Sequence, residues 1–278
     1  MTAPSIACAE QLTFTALRAL PLIEAGDDLA AAIGAGLQRT ALALCPGDVL
    51  VVASKLVSRA EGRFVDLGAL RVSSRARAVA RRAELDPRVV ELVLAESVEI
   101  SRLARGVLIT RNRHGVVCAN AGIDLSNARP GGAPAESGPW ALGLPEAPDD
   151  SAERLRQALA HAHGVSAGVI ISDSVGRPFR LGSVGIALGL AGLPALWDQR
   201  GTADLFGMRL EHTVTALADQ IATAAELVAG QAAEARGVVH VRGLRFPSES
   251  HRASELVRPA DLDLYAALPH DGGTHERS

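Results

Sequence analysis

Two short runs, VLVVAS (Val49 to Ser54) and VSAGVIIS (Val165 to Ser172), are almost wholly apolar and rich in β-branched residues. Runs of that length without polar alternation read as buried strands. The second opens directly into SDSVGRPFRLGSVG, ending at Gly185, and a further run, VVCA, opens into NAGIDLSNA, from Asn120 to Ala128. Strands that deliver Asp, Ser and Asn at their ends set hard oxygen ligands on a rigid platform. A neighbouring Arg supplies the fork that matches a phosphate. A chain built this way is readable as an enzyme that handles a divalent metal and phosphates.

Around these runs the periodicity predicts a strand in LTFTALRAL from Leu12, then a helix over Leu29 to Leu44 capped by Asp27 or Asp28. SKLVSRAEGR emerges as a polar segment after the first apolar run. Helices are predicted for Ser73 to Leu85 and Pro87 to Val98, and a hairpin pairs VLIT with GVVCAN across RNRHG. Residues 129–148 hold five prolines and four glycines in twenty positions, which marks a loop and the one seam in the chain. Beyond it come a helix from Asp149 or Ser151 to His163, a strand in SVGIALG, a helix from about Thr213 to Ala229 and the strand VVHVRG. Strands and helices mix without a regular βαβ beat, so the fold class is α+β (mixed α/β) and not Rossmann. No GxxxxGK run ending in Ser or Thr is present, nor GxGxxG after a strand, GxSxG or HExxH.

Aromatics are only 3% of 278 residues, leaving few rings on which bases could stack, and the net charge of −3 comes with no basic stripe. Nucleic acid is therefore not an expected partner. Cys8, Cys45 and Cys118 are odd in number and widely spaced, as expected of small buried hydrophobes in a reducing compartment. The most apolar window, VGIALGLAGLPALW, is too short to span a membrane, and MTAPSIACAEQ lacks the pattern of a signal peptide. A cytoplasmic protein is the expectation.

Each candidate site residue admits two readings. Asp124, with Asn120, Ser126 and Asn127, is either a metal ligand or part of an Asx turn that bonds its own backbone. Asp173 and Ser174 are either ligands or a turn cap. Two such blocks, each after an apolar run, tip the balance towards ligands. Arg177 and Arg180 suit phosphate or carboxylate recognition, or else surface ion pairs. Asp198, Arg200 and Asp204 lean towards structural pairing. The histidines form no ligand set, so an oxygen-liganded Mg²⁺ or Mn²⁺ is expected rather than zinc.

LPLIEAGDDL, GDVLVVASKLVSRAEGRFVDL, LVLAESVEI, NAGIDLSNA, GRPFRLG, DQRGTADLFG and ADQIATAAELVAGQAAE with VVHVRGL together resemble the coenzyme F420-0:L-glutamate ligases, also called F420:γ-glutamyl ligases. The resemblance runs from about residue 12 to 246. It implies a ligase domain over residues 10–247, of two lobes with mixed sheets; from about Ser248 the chain turns polar, so 248–278 reads from its composition as a C-terminal extension with a disordered end. It also implies a homodimer acting on GTP, L-glutamate and coenzyme F420-0, with an amide formed at the lactyl carboxylate and further γ-linked glutamates added. Two divalent cations, Mg²⁺ or Mn²⁺, would assist, with K⁺ as a further cation. By resemblance, Asp124 and Asp173 would hold one metal, and Ser174 and Gln231 the second. GTP would meet Leu20, Pro21, Leu22 and Ile23, then Ser54, Arg59 and Asn127, and finally Ala229, Gly230, Gln231, Ala232, Ala233, Glu234, Ala235 and Arg236. Asp124, Asp173 and Arg177 are the residues expected at the chemistry, with Lys55, Arg59 and Arg180 as further clamps.

Two positions depart from the family pattern. Arg59 stands where Lys is frequent, and Gln231 follows Ala229-Gly230 where an MGQ or MGE-like run is usual. A neutral Gln is a weaker ligand than Glu. A metal-dependent phosphohydrolase or phosphotransferase would use the same oxygen ligands on another substrate, and a non-catalytic nucleotide-binding protein would bind without turnover.

Overall fold

The computed structural model describes residues 9–134, 136–247, 251–259 and 262. In chain order the strands are β1 (Thr13–Ala16), β2 (Val49–Ala53), β3 (Phe64–Asp66), β4 (Ser97–Ala104), β5 (Val107–Asn112) and β6 (Val117–Ala119). They continue with β7 (Trp140–Leu142), β8 (Gly168–Arg177), β9 (Arg180–Ala191), β10 (Trp197–Asp198), β11 (Val214–Thr215) and β12 (Val238–Arg242). The helices are α1 (Leu29–Arg39), α2 (Ser54–Ala60), α3 (Ser74–Ala83), α4 (Pro87–Ala95), α5 (Pro148–His163) and α6 (Leu217–Ala229).

The two apolar runs lie side by side. β2 pairs with β8 in parallel, from Val49 opposite Gly168 to Ala53 opposite Ser172, at the centre of a sheet ordered β1-β12-β2-β8-β9 whose other pairings are antiparallel. Both faces are covered, which is why neither run alternates. Leu50, Val52, Val169 and Ile171 pack towards α1, α2 and α5, while Val49, Val51 and Ile170 pack towards α6 through Leu217, Ile221 and Ala225. At the far edge the free backbone of β9 is occupied by side chains: Ala187 N donates to Asp219, Leu190 N to Asp149, and Thr223 donates to Gly185 O. An edge so engaged cannot recruit another strand.

A second lobe is inserted between α2 and α5. Its sheets, β3-β7 and β4-β5-β6, enclose a separate core with α3 and α4 in which Val90, Val93, Leu67 and Leu108 are buried. The α+β class and the two lobes follow from this division.

Several elements differ from the expected bounds. Helix α1 stops at Arg39, because the Thr40 hydroxyl turns back to Gly36 O and Ala41 takes a left-handed φ of +56°. Asp28, not Asp27, is its cap and accepts from Ala31 N. SKLVSRA, read as the start of a polar segment, is helix α2. Strand β4, in the charged stretch SVEISRLA, is half exposed, has no buried residue and gives no unbroken apolar run. The Pro- and Gly-rich seam contains β7, which closes against β3. Strand β8 does not end at Ser172 but carries the Asp-Ser block through a long hairpin with β9. Helix α6 begins at Leu217, after the short β11. Cys118 is buried as expected, whereas Cys45 is exposed. Cys8 and the terminal DGGTHERS lie outside the described residues. No helix of the described residues is long and apolar enough to cross a membrane.

Candidate active site

Where the parallel pairing of β2 with β8 ends, at Ala53 opposite Ser172, Ser54 and Asp173 lie next to each other. The Ser54 hydroxyl donates to Asp173 Oδ1 at 3.2 Å. The second lobe contributes Asp124, held in a two-hydrogen-bond bridge with Leu142. Its Oδ1 accepts from Ser126 N and Ser126 Oγ, both at 2.7 Å. The turn reading of the NAGIDLSNA block is thus correct in geometry, yet it leaves Oδ2 to face outward, where the Lys55 ammonium sits in an ion pair. Lys55 also reaches Ser126 O at 3.3 Å. Asp124 and Lys55 tie the two lobes together at this point.

The two aspartates are driven apart in acidity. Burial pushes Asp124 up, but hydrogen bonds from Lys55 and Ser126 outweigh it and hold the carboxyl below its usual range. Burial also pushes Asp173 up, and the nearby charges of Asp124 and Glu226 add to it, against the Ser54 hydrogen bond, raising it to about 6. A carboxylate strained in this way is relieved by a cation.

One residue along β8, the Ser174 hydroxyl meets two further oxygens: Glu226 Oε1, in a short hydrogen bond, and Gln231 Oε1 at 3.0 Å. Gly230 makes this possible. It ends α6 with φ +80°, ψ 172°, and a side chain there would strike the Glu234 carboxylate. The chain can therefore fold back and return Gln231 to Ser174. Among the described residues no three His, Cys, Asp or Glu converge at metal-holding spacing. Ser174 and Gln231 add neutral oxygens beside the carboxylates of Asp173 and Glu226, and hard oxygen donors of this kind suit Mg²⁺ or Mn²⁺.

Arg59 is buried (4% exposed), with its guanidinium 4.9 Å from the Phe64 ring centre. Its Nε donates to Ile23 O at 2.5 Å, one Nη to Asn127 O at 2.9 Å and Arg129 O at 3.3 Å, and the other Nη to Glu24 Oε1 at 2.6 Å. It therefore joins the Leu20–Ile23 segment to Asn127, two stretches expected at the nucleotide. Within that segment Ile23 is buried and Leu22 is 73% exposed. Residues 230–236 lie exposed beyond Ser174, with Ala232 N donating to Glu234 and Arg236 donating to Val228 O.

Arg177 lies four residues past Asp173, about 13 Å along the strand. It sits at the hairpin end opposite Arg180 and donates to Leu181 O. The structure does not bring it to the aspartates. Asp198 and Arg200 pair bidentately at 2.5–3.1 Å, as their structural reading had it. Glu226 had not been singled out in the sequence. The available signal was that it follows buried Ala222 by one helical turn, which puts a charge on the packed face of α6.

A profile of the F420-0:γ-glutamyl ligase family matches residues 18–243, which takes in every element of this site. The chain belongs to that family. It is 42% identical over 259 residues to the coenzyme F420:L-glutamate ligase of Methanothermobacter thermautotrophicus, covering 91% of this chain and 98% of that protein. The Methanopyrus kandleri protein of the same name is 43% identical over 247 residues, covering 87% and 93%. That of Methanocaldococcus jannaschii is 42% identical over 219 residues, covering 79% and 84%. The chain is thus an enzyme of a ligase family.

Proposed function

We propose that this ligase forms an amide between the carboxylate of F420-0 and the α-amine of L-glutamate at the expense of GTP, and that it adds further γ-linked glutamates. One observation carries this reading: Asp173 and Ser54 where the parallel pairing of β2 and β8 ends, with Asp124 and Lys55 brought in from the junction with the second lobe. A carboxylate is a poor acyl donor, so it must first be phosphorylated. Its oxygen attacks the γ-phosphorus, the bond to the β,γ-bridging oxygen breaks, and GDP leaves. The neutral amine of glutamate then attacks the acyl carbon, phosphate departs with its bonding pair, and the amine nitrogen loses a proton.

The divalent cations would be held by Asp124 and Asp173, and by Ser174 and Gln231; when bound they neutralise phosphate charge. Lys55, in an ion pair with Asp124, is the cationic side chain here that would meet phosphate oxygens. Arg59 places Ile23 and Asn127 for the nucleotide, its own donors being engaged within the protein. The half-buried site limits access of water to an acyl phosphate. A homodimer belongs to the same reading; Leu205 and Phe206 in one loop, and Phe179 and Leu181 at the β8–β9 turn, are more than nine-tenths exposed.

The test is incubation with GTP, Mn²⁺ and F420-0, with and without glutamate, followed by mass spectrometry. A glutamate-dependent gain of one glutamyl unit supports the ligase. Phosphate release with no mass gain would establish a phosphohydrolase instead.

A further inference from the structure

We infer that Glu226 is a ligand of the second divalent cation, supplying the carboxylate that Gln231 lacks. The inference rests on the two-cation reading above. Ser174 and Gln231 alone offer a neutral pair of oxygens, whereas a hard dication is held by carboxylates. Glu226 reaches the same point from the last turn of α6, so that Oγ of Ser174 lies between Glu226 Oε1 and Gln231 Oε1.

Three features set this cluster apart from an ordinary hydrogen-bonded triad. The Ser174 hydroxyl has one proton and can satisfy only one of the two oxygens that face it. Gln231 presents its Oε1 to the same hydroxyl, a second oxygen at the same point. No Lys, Arg or His among the described residues ion-pairs with Glu226, in contrast to Asp124, which has Lys55.

The opposing strand also makes room for the carboxylate. Gly185 pairs with Ser174 across the β8–β9 ladder. A Cβ on Gly185 would lie 2.8 Å from Glu226 Cδ and 2.8 Å from Ala222 O. Only a glycine lets α6 approach closely enough for Glu226 to lie flat over the strand beside Ser174. Gly185 and Glu226 thus form one cradle, continuous with Asp173, whose carboxyl already feels the Glu226 charge.

The experiment counts Mn²⁺ bound to the purified protein by electron paramagnetic resonance, in the presence of a non-hydrolysable GTP analogue. The wild type should hold two Mn²⁺ per chain. Glu226→Gln should weaken the second by about 10-fold or more while leaving the first within about 2-fold. Adding Gln231→Glu to that variant should restore the second site, because it is the charge of the set that matters. Unchanged affinity at both sites in Glu226→Gln would overturn the inference. So would equal loss at both sites with no restoration. Should Glu226→Gln fail to fold, Gln231→Glu alone should tighten the second site about 10-fold, and no tightening would overturn the inference equally. Mn²⁺ counts that behave as expected in a protein that makes no glutamyl product would defeat the ligase reading and leave Glu226 as a ligand.

Discussion

Arg59→Lys keeps the charge and so looks conservative; the structure says it is not. The guanidinium donates to Ile23 O, Asn127 O and Arg129 O and to the Glu24 carboxylate, acceptors that lie on different sides of a planar fork. An ammonium is a single point and cannot span them. With at least two of the four bonds lost, at about 1–1.5 kcal/mol each, the variant should be about 2–3 kcal/mol less stable. For a chain of this size that is roughly 3–5 °C in Tm. Because Arg59 acts through the segments it holds, the kinetic effect should fall on KM for GTP, by about 10-fold or 1.4 kcal/mol, with kcat changed less than about 3-fold. Glu24→Gln separates holding from direct contact. If Arg59 positions Ile23 and Asn127, loss of its counter-ion loosens both and raises KM for GTP in the same direction. If Arg59 grips phosphate itself, freeing it from Glu24 lowers KM. Steady-state kinetics with GTP as the varied substrate decide, and a lowered KM in Glu24→Gln, or a wild-type KM in Arg59→Lys, would refute the positioning role.

Asp124→Asn should abolish Mn²⁺-dependent GTP turnover while circular dichroism stays that of the wild type; retained turnover would remove Asp124 from the metal site. Folded Asp173 titrates at about 6 against 3.8 for a free carboxyl, so in cation-free protein its ionisation lowers stability as pH rises through about 6. Asp173→Asn should therefore melt higher than wild type in EDTA at pH 7.5, by on the order of 1–2 kcal/mol, yet gain nothing from Mn²⁺; a lower melting temperature in EDTA counts against this. At the other end of β2, burial pushes Asp48 up, but hydrogen bonds from Arg242, His240 and Cys45 N prevail and hold it below 3.8. Its contribution is present above the ordinary carboxylate range and is lost as pH falls below about 4. Asp48→Asn should cost about 3 kcal/mol at pH 7 and flatten the acid limb of the stability profile, as read by urea melts.

The glycine and proline seam reads as a loop but holds β7, whereas the central strands were legible because burial on both faces leaves an unbroken apolar run. Strand β4 was not, since a strand packed on one side of a small lobe can be written in Ser, Glu and Arg, and SVEISRLA carries no signal of its own. The extent of β8 was hidden for a related reason. Its second half is polar because it lines the site, so the pattern that identifies a strand fades where function begins.

Site residues divide along the same line. Asp124, Asp173 and Ser174 could be nominated because each follows an apolar run, a local property. The job of Arg59 depends on which carbonyls a distant loop presents, and Ile23 and Asn127 lie 36 and 68 residues away. Glu226 is the most instructive case. Helix α6 buries Leu217, Ala218, Ile221, Ala222 and Ala225, and position 226 completes that face, while the neighbouring Leu227 is 88% exposed. Hydrophobicity alone would exchange the two, turning Leu227 inward and Glu226 out. The helix phase forbids it: rotating α6 to bury Leu227 would swing Ala218, Ala222 and Ala225 away from β9, where Gly185 admits only a closely approaching backbone. A charge held on a packed face by the small residues around it therefore needs a partner of its own, and Ser174, backed by a glycine on the opposing strand, is where the structure provides one.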